Sequence, residues 1–146
     1  MSKRILWLEN DPIQLEPYIE FIEEEGYEVT IVKSPTQAED AIKAGRYDLV
    51  ILDVMVPTLN AEEEMLYPPA LTEHGHKTGL LFYRRMKGEL NRSGTSVFVM
   101  TVRLDQNIRD EFIKAGLSRE HFATKFVMRD VSTFLTKIKS LTGESL

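Results

Sequence analysis

The sequence predicts an α/β fold, a doubly wound five-stranded parallel sheet flanked by helices, within a single domain over residues 1–146. Three observations lead there. Short unbroken aliphatic runs, such as residues 5–8 (ILWL) and 49–52 (LVIL), suit strands buried on both faces. Longer segments with apolar residues at helical spacing lie between them. The two kinds alternate five times without internal repeat or interdomain linker, a pattern that parallel strands with right-handed helical crossovers satisfy.

The elements follow in order. Residues 5–8 form the first strand, and Asp11-Pro12 reads as an N-cap followed by proline at the first helical position. Leu15, Ile19 and Ile22 recur at helical spacing with glutamates largely opposite, until Gly26 ends the helix. Pro17 fits poorly inside that helix, because it removes one of its hydrogen bonds. Residues 27–32 (YEVTIV) alternate as a strand, and Ser34-Pro35 opens a second helix that Gly45 closes. The third strand spans 48–52. A helix is expected over 78–90, a strand over 96–100 (SVFVM), and a helix over 104–115 with Leu104, Ile108 and Phe112 on one face. A short strand at 121–124 precedes a last helix striped by Val131, Phe134, Leu135, Ile138 and Leu141.

Composition narrows the function. At 146 residues and 42% hydrophobic, the chain suffices for one packed core and is short for two. Its formal charge of -5, from 18 basic and 23 acidic residues, argues against nucleic acid or anionic lipid as a partner. The absence of cysteine excludes a disulfide framework, a thiol nucleophile and a thiolate metal site. The amino terminus has too few apolar residues for a signal peptide or a spanning helix, so a cytoplasmic protein without a membrane partner is expected.

In open parallel sheets, ligands bind beyond the carboxyl ends of the strands. Glu9, Asn10 and Asp11 follow the first strand, Asp53 the third, Thr101 the fourth and Lys125 the fifth. Asp53 ends a strand that has no polar alternation, a costly place for a carboxylate unless it is aimed at water, a cation or reactants. Acids, a hydroxyl and an ammonium converging on one cleft suit phosphoryl transfer to a carboxylate. Asp53 would be the nucleophile, a hard divalent cation such as Mg²⁺ would lie among the acids, and Thr101 and Lys125 would hold the remaining phosphoryl oxygens.

The stretches "ILWLENDP", "YDLVILDVMVP", "SVFVMTVR" and "HFATKF" resemble, in order and spacing, the strand-end motifs of response regulator receiver domains from two-component signalling. The resemblance runs from Lys3 to about Leu141. It implies a flavodoxin-like sheet of strand order 2-1-3-4-5 and a signalling phosphoacceptor, not an enzyme beyond its own phosphorylation and dephosphorylation. It implies that Asp53 accepts a phosphoryl group from a histidine kinase or histidine phosphotransfer protein. Glu9, Asn10, Asp53 and the backbone carbonyl of Met55 would hold Mg²⁺. Thr101 and Phe122 match the switch pair, whose hydroxyl moves toward the phosphate while the ring turns inward, and Lys125 matches the family's lysine. Met55 and Arg103 would flank the route of an attacking water. Output would pass through the face of the fourth helix, fifth strand and fifth helix to an unidentified downstream protein, from a stand-alone domain; a homodimer is compatible with the sequence.

Two positions depart from the family. Asn10 stands where a second carboxylate is usual, which lowers the expected Mg²⁺ affinity, and Phe126 stands where a proline follows the lysine. They motivate an alternative, a phosphorylation-independent receiver-like interaction module. A phosphohydrolase of the haloacid dehalogenase type would need an aspartate where Met55 stands. Phe122 also fits as a plain core residue, Glu62-Glu63-Glu64 as a solvated helix face, and His74 and His76 as loop residues.

Between the third strand and third helix, the family's glycine is matched by Gly79, so residues 58–75 or thereabouts form an insertion. Connections this long in a compact domain are often functional. Asn60 and Glu63 read as a capping box, Met65, Leu66 and Tyr67 as apolar surface, and Pro68-Pro69 as a stop. The segment is expected beside the acceptor site, shaping partner choice or dephosphorylation.

Overall fold

The protein is represented by a computed structural model that describes residues 2–102 and 105–143. Five parallel strands form a sheet of order β2-β1-β3-β4-β5, the order expected. They are β1 (Arg4–Leu8), β2 (Glu28–Val32), β3 (Leu49–Leu52), β4 (Ser96–Thr101) and β5 (Phe122–Thr124). The helices are α1 (Glu16–Glu24), α2 (Pro35–Ala44), α3 (Ala61–Leu66), α4 (Pro69–Thr72), α5 (Thr78–Ser93), α6 (Gln106–Lys114) and α7 (Val131–Leu141).

Alternation along each strand divides the core in two. Leu6, Leu8, Val50, Leu52 and Val99 pack with Ala38, Phe82 and Phe112, from α2, α5 and α6. Ile5, Trp7, Leu49, Ile51 and Phe98 pack with Ile22, Phe134 and Ile138, from α1 and α7. Both faces are covered, so the central strands need no polar positions until they end. Leu8 pairs with Leu52, and Leu52 with Val99. The strands therefore finish almost level, and the residues just past them share one edge.

Pro17 has a simple resolution. Residues Pro12–Leu15 form a 3-10 turn and α1 begins only at Glu16, so Pro17 occupies the second helical position, where no intrahelical acceptor is lost. His121, expected in the last strand, belongs instead to a short 3-10 turn, with Nδ1 2.7 Å from the Val97 carbonyl. Arg103 and Leu104 lie outside the described residues.

The β3–α5 connection is a folded arm. Asn60 Oδ1 accepts from the Glu63 amide at 2.9 Å, one half of the expected capping box. The other half is replaced. The Glu63 carboxylate accepts from the Leu59 amide at 2.6 Å, the Thr36 amide at 2.9 Å and the Thr36 hydroxyl. Glu63 thus sits buried at the amino end of α2, not on a solvated face, and the partial positive charge there favours it. Tyr67 is fully buried, and its hydroxyl donates to Glu39. Arg85 grips the same carboxylate through Nε at 3.0 Å and Nη2 at 3.2 Å. The arm returns to α5 through Glu73 and His74, both left-handed at φ 51 and 58, and Gly75 at φ 94. No helix among the described residues is long and apolar enough to cross a membrane.

Candidate functional site

Four strand ends bring four polar side chains together at the carboxyl edge of the sheet. Asp53, directly after β3, is 5% exposed. Thr101, the last residue of β4, donates its hydroxyl to Asp53 Oδ1 at 2.9 Å. Lys125, directly after β5, spans two carboxylates, with Nζ 3.0 Å from Asp53 Oδ2 and 2.6 Å from Glu9 Oε2. The Met55 amide also donates to Asp53 Oδ1, at 3.2 Å. Glu9 is 3% exposed and accepts from the Asp11 amide at 3.3 Å.

Backbone hydrogen bonds hold this arrangement. The Asp53 amide donates to the Leu8 carbonyl, the Glu9 amide to Val32, and the Lys125 amide to Thr101, at 3.2, 3.0 and 2.8 Å. Asp53, Glu9 and Lys125 are thereby each tied to the neighbouring strand, and the cluster rests on the sheet rather than on loop tips.

The electrostatics follow from crowding. Burial raises the Glu9 carboxyl above its usual range; the Lys125 ammonium counteracts this, and the charge of Asp53 adds to it. Burial on its own would lower the Lys125 ammonium, but its hydrogen bonds and proximity to Glu9 and Asp53 outweigh that and hold it above the ordinary lysine value. One ammonium shared by two buried carboxylates leaves an excess of negative charge. Hard oxygen donors with uncompensated negative charge suit a small divalent cation, so the residues present fit Mg²⁺.

The other expected site residues are distributed as follows. Asn10 is exposed, next to buried Glu9. Met55 is 43% exposed, and its amide, not its carbonyl, contacts Asp53. Phe122 is buried edge-on against Phe112 of α6, with centroids 5.6 Å apart. Phe126 is largely exposed under the Arg129 guanidinium. The Lys125–Phe126 bond is trans, as are the others described, and Lys125 still reaches both acids.

Comparison with known proteins gives consistent results. No family model matches the chain. A CheY-like response regulator receiver domain protein from Methanospirillum hungatei is similar with a TM-score of 0.74 and 21% identity, covering 98% of this chain and 95% of that one. The receiver domain of a sensor histidine kinase from Pseudomonas aeruginosa, described with a magnesium ion coordinated in its active site cleft, is similar with a TM-score of 0.71 and 19% identity, covering 99% and 100%. The fold is that of response regulator receiver domains.

Two curated relatives match part of the chain. The transcriptional regulatory protein CrdR of Helicobacter pylori is 38% identical over 63 residues, which are 43% of this chain and 30% of that protein. The transcriptional regulatory protein PcoR of Escherichia coli is 39% identical over 59 residues, 40% of this chain and 25% of the relative. The match therefore spans less than a third of either.

In this receiver fold, Gly79 brings α5 against the loop that follows β3. Its amide donates to the Val54 carbonyl at 2.9 Å, and an added Cβ would stand 2.8 Å from Val54 Cα while pressing on the Asp53 carbonyl. Sequence reasoning missed the Glu39–Tyr67–Arg85 cluster that fixes the arm. One signal existed: Glu39 follows buried Ala38 on the inward side of α2. Nothing local identifies its partners, 28 and 46 residues away.

Proposed function

We propose that the protein is a phosphorylation-controlled receiver, in which Asp53 accepts a phosphoryl group from a histidine kinase or histidine phosphotransfer protein. The observation that carries this reading is the convergence of Thr101 and Lys125 on the two carboxylate oxygens of Asp53. A carboxylate oxygen of Asp53 attacks phosphorus, the phosphorus–nitrogen bond to the donor histidine breaks, and an acyl phosphate forms. The Thr101 hydroxyl and the Lys125 ammonium then hold phosphoryl oxygens as charge moves onto them, so the site contributes positioning and charge stabilisation.

Glu9, the Asn10 amide oxygen, Asp53 and the Met55 carbonyl are the groups that would hold Mg²⁺. The cation supplies neutralisation of the acids and of the incoming phosphoryl dianion. Asn10 brings no charge, which supports a modest affinity.

The phosphorylated form biases two conformations through Thr101 and Phe122. Phe122 packs on Phe112, so a change in its ring reaches the face formed by α6, β5 and α7. With the two short helices of the arm counted, this is the output face expected from the family, and a downstream protein reads it. Homodimerisation through the same face is compatible with this reading.

Incubation with Mg²⁺ and acetyl phosphate, followed by intact-mass measurement, tests the proposal. The native chain should gain one phosphoryl group and an Asp53→Asn variant none. Identical masses before and after treatment would leave only a phosphorylation-independent interaction module.

A further inference from the structure

We infer that the β3–α5 arm enlarges the surface on which the phosphodonor protein docks, and that Leu59, Met65, Leu66 and Leu71 on it select that donor; this rests on the phosphoacceptor reading above. Among the described residues, large apolar side chains are exposed in only two places. Ile13, Met55, Val102, Phe126 and Val127 lie just past the ends of β1, β3, β4 and β5, at the edge of the sheet that carries Asp53. The other four are those of the arm, with Met65 81% and Leu71 63% exposed. The outer faces of α1, α2, α5, α6 and α7 carry none.

The arm is a pre-organised surface. Glu63 and Tyr67 fasten α3 to Thr36 and Glu39, and Arg85 completes the attachment from α5. Met65 and Leu66 are therefore exposed on an anchored helix, so little ordering entropy opposes docking. The arm also continues the rim. His74, Gly75 and His76 line a cavity with Met55 and Pro57. Pro57 and His74 in turn share a second cavity with Glu64 and Pro69.

Access to the acceptor supplies the occupant. Asp53 is recessed, so a protein that brings a phosphohistidine to it must cover the surrounding rim, and one seated toward the arm meets α3. Exposed Glu62 and Glu64 adjoin Met65 and Leu66, which suits a helix with an apolar stripe bordered by lysine or arginine. The occupant is accordingly a basic amphipathic helix of the phosphodonor protein.

The test uses the full chain and a double variant, Met65→Ser with Leu66→Ser, both positions being exposed. Each is given acetyl phosphate, and separately a panel of purified, ATP-charged histidine kinases from the source organism. Equal labelling by acetyl phosphate, with transfer from the best kinase at least tenfold slower in the variant, supports the inference. So does a further loss in a Glu62→Lys, Glu64→Lys variant. Transfer at the native rate in the first variant overturns it while leaving the acceptor role intact. Labelling by acetyl phosphate with no transfer from any kinase also overturns it. Failure of the native chain to accept from either source removes the underlying reading and the inference with it. Sedimentation adds one more outcome: a native dimer that the variant abolishes, with transfer unchanged, assigns the face to a second copy and overturns donor docking.

Discussion

Gly79 lies against the backbone carbonyl of Asp53, so close that no side chain fits between them. The start of helix α5 can come this close to the loop after β3 only because residue 79 has no side chain, and the approach also fixes the backbone that carries the Asp53 carboxylate. A Gly79→Ala variant should lose about 3 kcal/mol or more of stability, since backbone must move to admit the methyl group. Urea unfolding monitored through the fluorescence of Trp7 measures it; a loss below about 1 kcal/mol would show that the contact relaxes easily.

The attachment of the arm should be separable from the cluster around Asp53. Tyr67→Phe removes one donor from buried Glu39 and should cost about 1–2 kcal/mol. Arg85→Ala takes away the closest cation from that carboxylate and should cost about 3 kcal/mol. The double variant should lose less than the sum, because both act on one group. Additive losses in denaturant titrations would show that the three side chains do not form a unit.

Acid should release the arm before it unfolds the sheet. Burial alone would raise Glu39 and Glu63, yet the bonds from Arg85 and Tyr67 to the first, and from Thr36 and Leu59 to the second, hold both below the ordinary glutamate value of 4.5. A depressed folded value means that stabilisation is complete above the unfolded value and is lost as the pH falls from it through the folded values. Amide hydrogen exchange across residues 59–77 should therefore accelerate below about pH 4.5 while β1 and β3 stay protected. Exchange that rises equally in arm and sheet would contradict this.

Lys125 and Mg²⁺ should compete for the same oxygens, because the ammonium already bridges Glu9 and Asp53. Asn10→Asp adds a charge next to Glu9, and Lys125→Met removes the internal cation. Each should tighten Mg²⁺ binding about tenfold, or roughly 1.4 kcal/mol, in calorimetric titration. Unchanged affinity in both would place the cation away from this cluster.

The order of elements, the buried strands and the polar residues after them could all be read from the chain. Apolar runs and helical spacing are local properties, and parallel-sheet topology constrains where strand ends must meet. Thr101, Lys125, Glu9 and Asp53 are legible as candidates for that reason. Tertiary structure alone decided that Lys125 bridges Glu9 and Asp53, that Glu63 turns inward to the start of α2, and that Tyr67 finds Glu39 and Arg85. Each is a pairing across many residues of chain, where burial makes an unpartnered charge costly and so selects a partner that local pattern does not encode.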